Sequence, residues 1–286
     1  MGLNKKSHAI RRLPLTGKTA FVLAHPDDET VTGVGYLGKL GRLARFKVIN
    51  RLLKKCNQLS GKLPRHWGLS VMLSKIRAVE TPVMYYATMG ENGKHNGVRE
   101  EEDLSRVRFD ELQQAAKILR AKINIGHFHD GSLIEAHKKL EERIFEFLER
   151  EKPDRVITFP PTGITGHLDH REISFATLKA VEKYNQQHPE REISLFFRVI
   201  HPGDREITGP YIYHDELPIT HRSKVSKVLF SKKKICEVIQ AHRTQVPEMG
   251  TIFTAFRKFA KQPLDPPHYK GERKKIWKEE TFYQRI

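Results

Sequence analysis

The sequence predicts a layered α/β fold, a mostly parallel sheet covered by helices on both faces, within one domain over residues 1–286. Three observations predict it. Short runs rich in β-branched and aromatic residues alternate with longer amphipathic stretches, the rhythm of repeated βαβ units. A chain of 286 residues can bury a full core in one large domain. Polar and acidic clusters follow several of the apolar runs directly, and open α/β sheets bind ligands beyond the carboxyl ends of their strands.

Taken in order, strands are expected over Thr19–Ala24, Pro82–Thr88, Ile123–His129, Arg155–Pro160 and Ile193–Ile200. Amphipathic helices are expected over Leu104–Arg120, Leu133–Arg150 and Asp169–Gln187. Beyond Ile200, ITGPYIYH (207–214) reads as a further strand and Ser231–Gln245 as a helix. An extension from about residue 246 combines Pro263, Pro266 and Pro267 with KGERKKIWKEE, and proline and charge leave it without a clear element.

Residues 35–79 break the rhythm, with eleven Lys or Arg and no Asp or Glu in a segment long for one crossover helix. Leu40, Leu43, Ile49, Leu52, Leu53 and Cys56 recur at near-helical spacing. The segment therefore reads as a core helix with a solvated basic face and a longer loop, or as an amphipathic element lying on an anionic membrane.

Charge narrows the partners. With 51 Lys+Arg against 34 Asp+Glu, the formal net charge of +17 favours phosphates, nucleic acid or an anionic membrane surface. No recognisable nucleic-acid motif accompanies that charge, so nucleic acid is the weaker expectation. Cys56 and Cys236 stand alone, without a C-x-x-C pair, which suits two small buried apolar residues in a reducing compartment. No apolar stretch approaches a membrane span, and residues 1–17 lack a signal-peptide core, so a cytoplasmic protein, peripheral to the membrane if the basic segment binds lipid, is expected.

Two clusters of potential ligands stand out: His25-Pro-Asp27-Asp28-Glu29 after the first strand, and His167-Leu-Asp169-His170 after the fourth. Either alone is a common surface pair or helix cap. Both fall at the same edge of the expected sheet, where distant segments can share one ion. Catalytic zinc takes three protein ligands from His and carboxylate and keeps an open position for water; His25, Asp28 and His170 supply that set. Two histidines and one carboxylate also hold iron(II), so the ligand types admit either metal. Asp27 then suits a general base. His167 suits an oxyanion stabiliser or acid, with Asp169 orienting it through a hydrogen bond. Glu29 either caps the following helix or supports a ligand, the cap being preferred. No phosphate-binding glycine loop occurs at a strand-to-helix junction, which argues against a nucleotide enzyme.

These residues resemble the LmbE-like, or PIG-L-type, metal-dependent N-acetylglucosaminyl deacetylases. The resemblance rests on AHPDDE, Thr88-Met-Gly-Glu91, Arg108 to Leu112 (R-x-x-E-L), Asp130-Gly131, HLDH at 167–170 and AHRTQ at 241–245, in the family's order. It implies a Rossmann-like three-layer fold and, usually with zinc, hydrolysis of the linear amide of an N-acetylglucosamine-type glycoconjugate by a water activated at the metal. It also implies His25, Asp28 and His170 as ligands, Asp27 as base and His167 as acid or oxyanion stabiliser. Arg108 and Asp130 would bind substrate, and His242 with Gln245 would close the pocket. For Arg108 the alternative is a helix-surface pair with Glu111, and for His242 a helix-terminal position without chemistry. The chain departs from the family in reading Thr32-Gly33-Val34-Gly35 where a Gly-Gly pair is usual, in the long 35–79 segment, and in Ala121 after the second helix. Two other readings compete: a deacetylase of a membrane-bound or phosphorylated glycolipid, and a non-enzymatic protein that binds anionic lipid or nucleic acid.

Overall fold

The computed structural model describes residues 10–45, 79–99, 102–200, 217–224, 230–247, 249 and 279–285. Its strands are β1 (Arg11–Arg12), β2 (Thr19–Leu23), β3 (Val83–Tyr86), β4 (Lys122–Ile125), β5 (Arg155–Thr158), β6 (Ser194–Val199), β7 (His221–Lys224) and β8 (Glu279–Gln284). Its helices are α1 (Glu29–Thr32), α2 (Leu104–Leu119), α3 (His137–Glu151), α4 (Leu168–Gln187) and α5 (Lys232–Ala241), with a further helical run over residues 34–45.

One sheet holds all eight strands in the order β1-β7-β8-β6-β5-β2-β3-β4, parallel except for β8, which runs antiparallel to β6 and β7. Every residue of β2, β3 and β5 is buried, the uninterrupted burial that a parallel sheet covered on both faces requires. From β2 the chain steps outward to β3 and β4, then returns to place β5 on the other side of β2. The strand order therefore reverses between β2 and β5, and such a switch point opens a crevice at the carboxyl ends of the two strands. AHPDDE leaves β2 and the 161–170 loop follows β5, so both ligand clusters enter that crevice. Helix α3 packs against α4, and α2 against α5.

The five expected strands and three main helices all form, with informative differences at their ends. β4 stops at Ile125 because the chain turns away, with His127 in the left-handed region at φ 57°. Residues 133–136 form turns before α3, since the Leu133 N–H is committed to Asp169. Helix α5 ends at Ala241, leaving His242 as its C-cap. β1, β7 and β8 carry no period-two apolar signal strong enough to announce them. β8 is held through Glu280, whose carboxylate accepts the Gly35 and Tyr36 N–H groups at 2.6 and 2.7 Å and so caps the 34–45 helix from the far end of the chain. In that helix Leu37, Leu40 and Leu43 are buried, as the core-helix reading of its first turns expects. The rest of the basic segment and ITGPYIYH lie outside the described residues. Among the described residues, no helix is long and apolar enough to cross a membrane.

Candidate metal centre

The site is built on the sharp turn after β2. Asp28 Oδ2 accepts the backbone N–H groups of Ala24 and His25 at 3.0 and 2.7 Å, which fixes the carboxylate and leaves Oδ1 turned toward His170 Nε2 at 3.2 Å. His170 comes from the first turn of α4. Its Nδ1 lies 3.0 Å from the Gly163 carbonyl and therefore donates there, so Nε2 carries the lone pair. Phe159, just past β5, stacks on the His170 ring at 4.1 Å between centroids. A Cβ at Gly163 would meet His170 Cβ at 2.9 Å, and with φ at 69° this position requires glycine for the close approach.

His25 completes the set. Its Nε2 lies 3.0 Å from Asp130 Oδ1 and 3.2 Å from Asp169 Oδ2, which places the proton on Nε2 and the lone pair on Nδ1. That Nδ1 faces His170 Nε2 at 3.2 Å and Asp28 Oδ2 at 3.7 Å. Two imidazole lone pairs and a carboxylate thus converge at separations close to the roughly 3.3 Å edge of a tetrahedron with ~2.0–2.1 Å metal–ligand bonds. The donor set fits a divalent cation. Burial works against protonating His25, yet the hydrogen bonds to Asp130 and Asp169 outweigh it and carry its pKa to about 10, so without a cation Nδ1 also holds a proton, which metal binding would displace to free the lone pair. Asp28 has the opposite tendency: burial would raise its carboxyl, but the facing His170 and His25 hold it far below the usual carboxylate range. The pocket favours positive charge.

A family model described as PIG-L, GlcNAc-PI de-N-acetylase, matches residues 67–181. Over that span the chain is similar to the PIG-L (LmbE-like) family. The matched span includes Asp130 and the His167–His170 motif but begins after His25, Asp27 and Asp28, which join them only through the adjacency of β2 and β5. Among solved structures, N,N'-diacetylchitobiose deacetylase from Pyrococcus horikoshii is 16% identical, covering 94% of this chain and 84% of its own at a TM-score of 0.56. The A40926 pseudoaglycone deacetylase is 15% identical, covering 94% and 96%, at 0.59. A 4-carboxy-2-hydroxymuconate hydratase from Pseudomonas putida KT2440 is also similar, with 14% identity, coverage of 94% and 96%, and a TM-score of 0.53. At these identities the likeness is one of fold, and the fold is shared with a hydratase as well as with deacetylases. No curated protein sequence matches this chain.

Asp27, next to Asp28 in sequence, is not among the converging donors. Its backbone is held at φ 98°, a conformation costly for a non-glycine residue, and its Oδ2 lies 3.4 Å from Arg108 Nη2. Burial raises the Asp27 carboxyl, Arg108 pulls it down and neighbouring Asp28 pushes it up, with the balance at about 6. His167 is the N-cap of α4. Its Nδ1 accepts the Asp169 N–H at 3.2 Å, which leaves the proton on Nε2 of this exposed ring. Burial on its inner side, reinforced by His170 and His25, holds His167 below the usual imidazole range, so it is neutral near pH 7.

Asp169 orients His167 through its backbone N–H rather than its carboxylate. The Asp169 carboxylate instead faces His25 and accepts the Gly131 and Leu133 N–H groups at 2.7 and 3.3 Å. Asp130 likewise faces His25, and its Oδ2 accepts the Asn92 N–H at 3.1 Å. Arg108 is 4% exposed and gives its terminal nitrogens to the Gly90 and Pro26 carbonyls at 2.7 and 2.6 Å, binding two site loops together. A side chain at Gly90 would collide with that guanidinium. The alternative pairing of Arg108 with Glu111 does not form, because Glu111 accepts the Thr244 N–H and hydroxyl at 3.0 and 2.8 Å. His242 is 1% exposed and its Nε2 meets Glu29 Oε1 at 2.6 Å, while Glu29 Oε2 accepts the Tyr86 hydroxyl at 2.8 Å. Gln245 lies beside it, donating to Thr244 Oγ1 at 3.0 Å. Glu29 is thus a buried support.

From sequence, Asn92 has no role, and Glu91 none beyond its place in Thr88-Met-Gly-Glu91; the Glu91 carboxylate accepts the Asp130 N–H at 2.8 Å. Their signal was their place in a post-strand loop beside a glycine at φ 68°.

Proposed function

We propose that this protein is a metal-dependent hydrolase that removes the N-acetyl group from an N-acetylglucosamine-type glycoconjugate. The observation that carries this reading is the convergence of His25, Asp28 and His170 with a carboxylate, Asp27, held beside them but off the metal position. Zinc suits the three donors, and iron(II) shares their ligand chemistry. A divalent cation bound there would polarise the amide carbonyl and acidify a water molecule.

The chain's own residues divide the remaining work. Asp27 Oδ takes the proton of the attacking water, aided by a pKa of about 6 that leaves it ionised near neutrality. The neutral His167 donates its Nε2–H to the oxygen that gains charge as the amide carbon becomes tetrahedral. Arg108 keeps Asp27 off the ligand set, and Asp130 and Asp169 hold His25 in register. The proton taken by Asp27 is then available for the leaving nitrogen.

The experiment is acetate release from a panel of N-acetylglucosamine conjugates by the full chain, with zinc or iron(II) supplied, beside His170→Ala. Metal-dependent release by the wild type and none by the variant supports the reading. Stoichiometric metal uptake without release from any conjugate argues for another reaction of this fold. The basic segment over residues 35–79 supports a glycolipid substrate or an anionic membrane surface as partner. Equal sedimentation with anionic and neutral liposomes would remove that role.

A further inference from the structure

Successive residues of β3 point to opposite faces of the sheet. Tyr86 supports Glu29 beneath the candidate metal centre, whereas Tyr85 packs against Phe147 of α3, with ring centroids 5.3 Å apart. Tyr85 borders a cleft of about 460 Å³ between the last strand of the sheet and α3, lined also by Asn124, Gly126, His127, Lys139, Arg143, Glu146 and Arg150. None of these residues belongs to the metal-ligand groups.

Two features of the cleft are independent of each other. The first is charge. Lys139, Arg143, Glu146 and Arg150 follow each other at intervals of three and four along α3 and so share one face. Three cations against one carboxylate leave a formal surplus of two. Arg143 pairs with Glu146 at 2.9 Å, Arg150 reaches Asn124 Oδ1 at 2.8 Å and lies 3.5 Å from Glu151 Oε1, and all three cationic side chains are exposed.

The second feature is the Tyr85 hydroxyl. Tyr85 is 3% exposed, and its hydroxyl has no hydrogen-bond partner among the described residues. It lies beside Gly126 of the cleft wall, where a Cβ would collide with it. An unpaired buried hydroxyl costs roughly 1–3 kcal/mol, so a protein that keeps one needs a reason. Burial holds this hydroxyl protonated and therefore a donor, with Arg143, Glu146 and Arg150 acting on it.

We propose that this cleft is a second ligand site, for the dianion of a phosphate monoester, with Tyr85 as the buried neutral donor and Lys139, Arg143 and Arg150 as the cationic rim. Guanidinium forks and a hydroxyl match the several acceptor oxygens of a tetrahedral dianion, and the surplus of two charges matches its own. The cleft lies on the β4 connection that leads through His127, Phe128 and His129 to Asp130, so its occupant sits at the root of the loop that holds His25.

The test is thermal unfolding and calorimetric titration of the full chain with inorganic phosphate and with a sugar phosphate, at constant ionic strength, beside the unphosphorylated sugar. Saturable binding of the phosphorylated ligand but not of the neutral sugar is expected. Tyr85→Phe should weaken it about ten-fold or more while leaving the ligand-free protein as stable as the wild type or more so, since it removes an unsatisfied polar atom. Lys139→Gln, on the exposed face, should weaken binding without touching the core. Phosphate affinity unchanged in both variants, or a stabilisation reproduced by chloride, would overturn the proposal. Binding of inorganic phosphate alone, with the sugar phosphate excluded, would overturn the monoester assignment.

Discussion

His25 Nδ1 and His170 Nε2 face each other at 3.2 Å across 145 positions of chain, and the opposite nitrogen of each ring is engaged with an acceptor. Without a metal the raised pKa of His25 supplies a proton between them, and a divalent cation bound by both nitrogens would displace it. Adding zinc or iron(II) should therefore raise the unfolding temperature, by about 2.7 kcal/mol of stabilisation at a hundred-fold excess over Kd, and a chelator should reverse it. His170→Ala should abolish the response in thermal scans. A variant that gains the same stabilisation would place the metal elsewhere.

Asp27 stands beside the ligand set without joining it, so Asp27→Asn should keep the metal and lose about 10²–10⁴ in kcat. With its pKa at about 6, the wild-type rate should fall as pH drops through that value and the base becomes protonated. Metal analysis and a pH–rate profile on the same preparations check both. A full rate in Asp27→Asn would exclude it as base.

The contact between Asp169 and His25 separates two roles. Were Asp169 to act on His167, Asp169→Asn would lower kcat and leave metal affinity alone. The observed contacts predict instead a metal affinity weakened about 10–100-fold, measured by competition with a chelating dye.

His242 and Glu29 form a buried pair whose contribution depends on pH. Burial lowers the His242 pKa, but Glu29 outweighs it and raises the folded value above the ordinary one. The stabilisation is then complete below the unfolded histidine pKa of about 6.5 and is lost as pH rises through the raised folded value. The gap in unfolding temperature between wild type and His242→Gln should be widest near pH 6 and narrow toward alkaline pH. A gap that grows with pH would contradict the pairing.

The central strands were legible because parallel strands buried on both faces are written as continuous apolar runs, as in Thr19–Leu23. β8 was not, because EETFYQ owes its place to Glu280 reaching the Gly35 and Tyr36 amides across the molecule, a long-range contact with no local pattern. The difference recurs in the site. His25, Asp28 and His170 were visible as ligand types in dense motifs after strands, whereas the burial of Arg108 under two carbonyls could not be told from a helix-surface position.

The sequence by itself determined the α/β class, the ligand types and the order in which they occur, since these follow from periodicity and side-chain chemistry. Only the tertiary structure decided that β2 and β5 lie side by side, that Asp169 serves His25, and that Tyr85 turns from the metal centre toward a separate cationic cleft. The reason is physical: a motif states which atoms can accept or donate, but strand adjacency and burial fix which partners they meet.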